Sequence, residues 1–296
     1  MHYKMYFAAM ALMAASCTTE SFEQSVEQQG EQTLAPVTVH VSGFTVSQTD
    51  FSETRTRAAE NLANYAGVSS ITLAFYASNS TETYKTTQVK TDADFGEFTL
   101  SLPMGTYTMV VLAYYNSDAS SLELTSPTMA AFTGTRAYET FAATQGVVIS
   151  NTNAVDISAT LNRIVSKLQV VSTDGKTDDV TNVRMTFSAG GKSFNPTTGL
   201  ATVNTGFANT VGNSASVGNT STSLSFLFLA TDEQDIDVTI ETLDADGNTL
   251  FSKTIEDVPF KRNRVTKLTG AMYTNEALSG TFQVETAWLN EYNAEF

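Results

Sequence analysis

The sequence predicts an all-β protein organised as two antiparallel β-sandwich domains. Short runs rich in Val, Thr, Ile and aromatic residues recur along the 296-residue chain, and Gly, Asn and Asp turn signals separate them. No long stretch carries apolar residues at the helical period of about 3.6 residues. Because one sandwich takes about 100 residues, the chain beyond residue 36 is long enough for two.

The N-terminal segment predicts an export signal followed by a tether. Residues 1–16 contain Lys4 and then an apolar run that is too short to span a bilayer, as in a signal peptide. The only cysteine, Cys17, ends that run, and "AASC" looks like a bacterial lipobox. We therefore expect a lipid anchor on Cys17; the alternative is an ordinary signal peptide with an incidental cysteine. Residues 17–36 are rich in Glu, Gln, Ser and Thr, which predicts a flexible lipoprotein tether.

The segment "VTVHVSGFTV", residues 37–46, predicts the first strand of the N-terminal domain. We expect that domain to span residues 37–160 and a C-terminal domain to span residues 161–296. Because no long linker lies at this boundary, the two domains should be closely coupled. Alternate residues of the first strand share its inward face. These inward residues are Val37, Val39 and Val41.

Two arginines follow this strand in the segment "SETRTRAAEN", which predicts no strand. They stand out because the chain has 16 Lys plus Arg against 31 Asp plus Glu. Their small and polar neighbours favour an exposed, extended backbone that a protease can reach. Arg57 and Arg55 are therefore candidate processing sites, and Arg136 is a weaker third. The alternative is that both are solvated loop arginines.

Later segments predict the positions of further strands and turns. "PMG" at residues 103–105 and "DADGN" at residues 244–248 predict hairpins. Residues 204–223, rich in Gly, Asn, Ser and Thr, predict a loop. "LSFLFLA" at residues 224–230 is apolar on both faces, which predicts a central buried strand.

The composition argues against several classes of function. A net charge of -15 leaves no basic surface for nucleic acid or for anionic lipid headgroups. Beyond the signal peptide the chain has one histidine, His40, which we expect to face solvent, and it has no Cys pair to hold zinc. The segment that begins at Asp244 departs from a calcium loop at Gly247 and Ile255. Carboxylates are plentiful, but no motif marks a catalytic pair. We therefore predict no cofactor, no metal and no enzymatic activity, and we expect the basic cluster "KRNR" at residues 261–264 to be exposed.

Several segments, in order along nearly the whole chain, resemble the fimbrillins, the subunits of type V pili of Bacteroidales-type bacteria. The set is typical of the superfamily and not of one class of subunit. It consists of the lipobox cysteine with its tether and first strand, "TRA" at Thr56 to Ala58, "FTLSLPMGTYTMVVLAY", "LNRIVSKLQV", "VPFKRNRVTKLTGAMY" and a last strand with the lone Trp288.

This resemblance implies two transthyretin-like β-sandwich domains, export as a lipoprotein, and assembly with other pilus subunits at the outer membrane and cell surface. In polymerising members, an Arg-specific or trypsin-like protease removes the N-terminal segment together with its first strand. Here that implies a cut after Arg57 or Arg55 and loss of the strand that carries the three inward valines. A C-terminal strand of the next subunit then fills the groove by donor-strand exchange. The matching residues here share one face and are Phe282, Val284, Thr286 and Trp288.

Other interpretations stay open at this point. Residues 281–289 also fit a last strand that packs within its own domain. The alternatives to a processed pilus subunit are an unprocessed fimbrial anchor subunit and a tip subunit. A surface glycan-binding lipoprotein would need an aromatic platform, for which Tyr114 and Tyr115 are the candidates beside a single tryptophan.

Overall fold

The computed structural model describes residues 33–44, 47–50, 53–56, 62–117, 120–273 and 282–287 of the chain. Within these ranges the chain forms twenty strands and one short 3-10 helix, Leu62–Asn64. The predicted all-β class is therefore confirmed. No helix in the described ranges has the length and apolar character needed to cross a membrane.

Most of the strands alternate buried and exposed side chains, so each buries one face. Up to residue 163 the strands are β1 (Leu34–Phe44), β2 (Ser47–Asp50), β3 (Glu53–Thr56), β4 (Ser70–Ala77), β5 (Thr83–Val89), β6 (Glu97–Pro103), β7 (Gly105–Tyr114), β8 (Leu122–Ser126), β9 (Met129–Phe132), β10 (Thr140–Ile149) and β11 (Val155–Arg163). In the second half they are β12 (Ser166–Ser172), β13 (Asn182–Phe187), β14 (Ser193–Phe194), β15 (Phe207–Gly212), β16 (Thr222–Leu227), β17 (Glu233–Leu243), β18 (Thr249–Lys261), β19 (Val265–Gly270) and β20 (Gln283–Ala287).

The first sandwich consists of seven strands in the hydrogen-bonded order β5-β4-β7-β10-β11-β1-β6. Strands β10 and β11 pair only near one end, through Phe141 with Arg163 and Ala142 with Asn162. The sheet therefore folds over at this point. Strands β6, β1 and β11 then face the other four strands across one shared hydrophobic core.

The second sandwich repeats this arrangement with two separate sheets around its own core, β15-β13-β17-β18 and β16-β12-β19-β20. Strand β12 lies between antiparallel β16 and parallel β19, as β1 lies between antiparallel β6 and parallel β11. Strand β13 pairs with β15 and β17, as β4 pairs with β5 and β7. Among these strands, β20 has no described counterpart in the first sandwich.

A third hydrophobic core joins the two sandwiches. It combines outward-facing residues of β4 and β7, such as Ala74 and Leu112, with Ile164 and Val165. A small sheet adds a second connection, because β9 from the first half of the chain pairs with β14 from the second. The chain passes from β11 to β12 through Ile164 and Val165 alone. We therefore propose that the domain boundary, expected near residue 160, lies at this dipeptide.

Three local predictions are wrong, whereas the hairpin at residues 244–248 is confirmed by the pairing of β17 with β18. Pro103–Gly105 does not form a hairpin, because β6 pairs with β1 while β7 pairs with β4 and β10. Residues 204–223 are not a continuous loop, since β15 lies within them and pairs with β13. Strand β16 is an edge strand; on its outward face Phe226 packs against the third core, whereas Leu224 is 39% exposed.

Candidate functional site

Strand β1 occupies an interior position in the sheet of the first sandwich. It pairs in parallel with β11 on one side and antiparallel with β6 on the other. Both backbone edges of β1 therefore contribute to the sheet. Its removal would leave two rows of unpaired N–H and C=O groups, one on each neighbour.

The inward face of β1 is formed by small side chains that are almost completely buried. Ala35, Val37 and Val39 are 0% exposed and Val41 is 6% exposed, so all four face the core. The strand can be lined with such small residues because larger side chains of other strands fill the same core. These larger side chains include Phe75, Phe98 and Phe141.

The outer face of β1 is polar and is bordered by two acidic residues. Thr38 lies opposite Asp156 of β11, and His40 lies opposite Glu97 of β6. The His40 Nδ1 atom is 3.6 Å from Glu97 Oε1, and the two side chains are 42% and 68% exposed. His40 therefore lies on the solvent side of the sheet, as its alternation with the valines predicts.

The segment that carries the arginine pair is described in part. Arg55 lies on β3, which pairs with β2 in a two-stranded hairpin. The prediction that this segment forms no strand is therefore wrong for Glu53–Thr56. Arg57 and the candidate lipidation residue Cys17 lie outside the described residues.

A buried ion pair contacts Tyr65, which lies between the segment with the arginine pair and β4. Arg163 Nε is 2.6 Å from Glu139 Oε1, and the two side chains are 3% and 5% exposed. The Tyr65 hydroxyl donates to the same carboxylate oxygen at 2.8 Å and accepts from Arg163 at 3.1 Å. Arg163 also donates to Asn263 of the second sandwich at 3.1 Å and lies over the ring of Phe141. This network connects the chain at Tyr65 to β11 and to the second sandwich.

Strand β20 is the outer strand of the second sandwich. It pairs antiparallel with β19, and Phe282 just before it packs against the second core. Gly270 of β19 faces this ring so closely that a Cβ there would lie 2.8 Å from the nearest ring carbon. The side chains of Val284 and Thr286, and all of Trp288, lie outside the described residues.

Asp174 fixes the chain where it leaves β19 towards β20. Its two carboxylate oxygens accept backbone hydrogen bonds from Met272 and Tyr273, each at 2.8 Å. The Tyr273 hydroxyl accepts a further hydrogen bond from Asn213 at 2.7 Å. The segment that leads to β20 therefore starts from a fixed point within the second sandwich.

The basic cluster at residues 261–264 is not uniformly exposed, contrary to the prediction. Arg264 is buried, and burial lowers the pKa of its guanidinium to about 10. Lys261 forms an ion pair with Glu233, the first residue of β17, and Arg262 forms one with Asp232 just before that strand. The cluster therefore belongs to the turn between β18 and β19 and offers no free basic surface for an anionic ligand.

The remaining candidates for chemistry have structural roles. In the described part of the chain, no group of three or more His, Cys, Asp or Glu side chains could hold a metal ion. The Tyr114 ring is buried and its hydroxyl bonds to Thr72 at 3.0 Å, and this burial raises the pKa of Tyr114. Tyr115 is exposed and lies tilted against Tyr138, with ring centroids 5.3 Å apart. Because Tyr114 is enclosed, the two neighbouring tyrosines do not form a common platform for a sugar.

The chain belongs to the family of unknown function DUF6562, whose sequence profile matches residues 32–295. The match begins before β1 and extends past β20, so it includes both sandwiches. A comparison with curated proteins gives no match.

Several solved structures align with most of the chain. A protein from Bacteroides ovatus that is proposed to be an adhesin aligns with a TM-score of 0.50 and 11% identity, over 82% of this chain and 88% of that chain. The fimbrial anchor protein Mfa2 from Porphyromonas gingivalis aligns with a TM-score of 0.46 and 14% identity, over 86% and 97%. The tip fimbrial protein Mfa3 from the same organism aligns with a TM-score of 0.40 and 9% identity, over 86% and 98%. The alignment with the Bacteroides ovatus protein shows a shared overall fold.

Proposed function

We propose that this protein is a structural subunit of a fimbria that serves adhesion at the cell surface, exported as a lipoprotein through Cys17 and without enzymatic activity. The observation that carries the proposal is the interior position of β1 in its sheet, together with the arginine pair that follows β1 in the sequence. A single cut after Arg57 or Arg55 breaks the covalent connection between β1 and every other strand of the first sandwich, because all of these strands follow the cut in the sequence. The lipid anchor and the tether leave with the same fragment.

The hairpin that contains Arg55 is a reasonable substrate for such a cut. Strands β2 and β3 pair only with each other among the described sheets. An isolated two-stranded hairpin is marginally stable in water, so it opens readily to the extended conformation that a protease requires. The processing enzyme in this proposal is Arg-specific or trypsin-like.

Loss of β1 would create a site for a strand from another pilus subunit. The four inward side chains leave an apolar groove, and the backbones of β11 and β6 lose their partners. An extended segment restores both by β-strand addition, because alternate side chains fill the pockets while the main chain restores the hydrogen bonds. The ion pair between Glu139 and Arg163 supports this proposal, since it holds the chain at Tyr65 after the cut.

The comparison with solved structures supports an adhesive role at the surface. The Bacteroides ovatus protein that shares this fold is itself proposed to be an adhesin. The face that contains Phe282, Val284, Thr286 and Trp288 is the candidate donor in the sequence. Residues 283–287 also form β20 at the edge of their own sandwich, so the source of the incoming strand is a separate question.

The test is digestion of the purified precursor with an Arg-specific protease. We expect one early cut after Arg57 or Arg55, identified by mass spectrometry of the new N-terminus. The cut protein should then form a ladder of multimers on an unheated denaturing gel when partner subunits are present. The matched control is the double variant Arg55→Lys and Arg57→Lys, which keeps the positive charge but removes the site for this protease.

The outcomes separate the proposal from its alternatives. A cut at the arginine pair that leaves only monomers in the presence of other subunits would overturn strand exchange. Resistance at both arginines in a folded precursor would overturn processing and would favour an unprocessed anchor subunit. If the double variant still forms the ladder, cleavage is not the trigger.

A further inference from the structure

We propose that the position of β1 selects a donor strand with small inward side chains and no acidic outward ones. The donor that fits is a segment of a different kind of subunit and not the C-terminal strand of another copy of this chain. This inference rests on the proposed function, because it assumes that β1 can be replaced. It adds the chemistry of the partner strand.

The size limit follows from the packing of the core. The inward side chains of β1 are one alanine and three valines, all buried, and aromatic rings of other strands already fill the space opposite them. Protein interiors are packed about as densely as organic crystals, with a packing density near 0.75, so an aromatic side chain in place of a valine has to displace its neighbours. The groove therefore accepts residues close to Ala and Val in size.

The second sandwich supports the same limit independently. Strand β12 has the position there that β1 has in the first sandwich, between an antiparallel and a parallel neighbour. Its buried residues are again small or medium in size and include no aromatic ring: Ser166, Leu168, Val170 and Ser172. The absence of inward aromatic rings is thus a property of this position in both sandwiches.

The charge limit follows from the residues that border the groove on its outer side. Asp156 of β11 and Glu97 of β6 lie opposite outward positions of β1, and both are exposed. An acidic outward residue of a donor would be placed directly across from one of these carboxylates, and like charges in cross-strand pairs are destabilising. In β1 itself the outward residues are Pro36, Thr38 and His40, none of which is acidic.

Residues 281–296 of this chain break these limits in every register. A donor must present four alternate residues to match the four inward positions of β1. On one face of the segment, every such set contains at least one aromatic residue from Phe282, Trp288, Tyr292 and Phe296. On the other face, every such set contains Glu285 or Glu291, which would place an unpaired carboxylate in the core.

The second sandwich already accommodates the aromatic residue that precedes β20. Phe282 packs against the second core beside Gly270, which leaves room for the ring because it has no Cβ. An edge position of this kind accepts an aromatic residue, whereas the interior position of β1 does not. The C-terminal strand therefore matches its own sandwich and not the groove of a second copy.

The experiment is a competition between peptides for the groove. The unlipidated precursor is labelled with a fluorophore on Cys17, its only cysteine, and cut at the arginine pair, so the fragment with β1 is held non-covalently. Fluorescence anisotropy of the label measures the release of the fragment when a peptide is added. Three peptides are compared. Two have the sequences of residues 33–44 and residues 281–296. The third, called the retuned peptide, is the 281–296 sequence with Phe282→Ala, Trp288→Val and Glu285→Gln, which removes the two aromatic rings and the acidic side chain from residues 282–288.

We expect the peptide of residues 33–44 to displace the fragment and the peptide of residues 281–296 to be weaker by about tenfold or more. The retuned peptide, whose inward residues become Ala, Val, Thr and Val, should recover most of that loss. Equal displacement by residues 33–44 and 281–296 would overturn this inference while supporting strand exchange. Failure of the retuned peptide to improve on residues 281–296 would also overturn it. If even residues 33–44 displace nothing, the proposed exchange itself is wrong, and the inference is overturned with it.

Discussion

The two sandwiches share most of their strand pairings but differ in how their interior strand is attached to the chain. In the second sandwich, β12 continues from β11 through two residues and leads on to β13 of the same sandwich. In the first, β1 is separated from β4 by a segment that contains a small hairpin and the two arginines. The interior strand is therefore continuous with the rest of its sandwich in one case, and in the other a single cut in this segment would end its covalent connection. The difference lies in covalent connection, because the packing of the two strands is similar.

The sandwiches also differ in how their ion pairs are buried, and this gives the largest expected effect. Glu139 and Arg163 are 5% and 3% exposed, whereas Glu241 and Arg184 of the second sandwich are 15% and 33% exposed. Glu139→Gln removes the carboxylate charge that lies 2.6 Å from the buried Arg163 guanidinium, and we expect it to lower the free energy of unfolding by about 3–5 kcal/mol. Chemical denaturation measures this loss.

Glu241→Gln is the matched control for that variant. Its partner Arg184 can turn towards water, so we expect a loss of only about 1 kcal/mol. Equal losses for the two variants would show that burial does not distinguish the two ion pairs. A small loss for Glu139→Gln would also contradict the role of this pair in holding the chain near Tyr65.

The alternation in β1 and the hairpin at residues 244–248 could be predicted because both are local. The buried ion pair could not, since Glu139 and Arg163 lie on different strands and no spacing connects them before the sheet has formed. The error at Pro103–Gly105 has a related cause. A tight turn predicts a hairpin only when the two strands pair, and here β6 pairs with β1, far away in sequence.

The prediction of a central strand at residues 224–230 is wrong for a different reason. An apolar residue on the outward face of a strand can be covered by another part of the fold, so the strand need not be central in its sheet. Phe226 is covered by the third core that joins the two sandwiches, and no local pattern indicates that core. Likewise, strand β15 lies in a segment whose composition is typical of a loop, and its pairing with β13 determines its conformation. The position of β1 between β6 and β11 could not be predicted either, because both of its partners are distant in sequence.

The next prediction separates covalent connection from packing. Val39 of β1 and Val170 of β12 are both 0% exposed, so Val39→Ala and Val170→Ala should each cost about 1–3 kcal/mol in the uncut chain. After the cut at the arginine pair, only β1 is free to leave. Val39→Ala should then speed release of the N-terminal fragment by about tenfold, while Val170→Ala leaves the rate unchanged. Fluorescence anisotropy of the labelled fragment measures this rate. Equal rates for both variants would show that β1 is not the strand that leaves.

The outer strand β20 gives a smaller effect, because it is present in one sandwich only. Gly270→Ala would place a Cβ 2.8 Å from the Phe282 ring, so the ring has to move. We expect a loss of about 1 kcal/mol, together with faster amide hydrogen exchange at residues 283–287. The control is Gly146→Ala in β10, where a Cβ meets nothing within 4 Å. If Gly270→Ala leaves exchange at β20 unchanged, the contact with Phe282 does not hold the strand.

The smallest effect concerns pH and the exposed ion pair. Hydrogen bonds from Arg184 at 2.6 and 2.7 Å lower the pKa of Glu241 below its usual value of 4.5 in the folded protein, against an opposing effect of burial. A carboxylate whose pKa is lowered by folding stabilises the protein above its unfolded pKa, and this contribution is lost as the pH falls through the folded pKa. The difference in unfolding free energy between the protein and its Glu241→Gln variant should therefore be largest at neutral pH and should decrease as the pH drops below 4.5. Urea denaturation of both proteins across this range measures the difference. A difference that stays constant would mean that the charge of Glu241 contributes nothing, and that the second sandwich depends on this pair only for its packing.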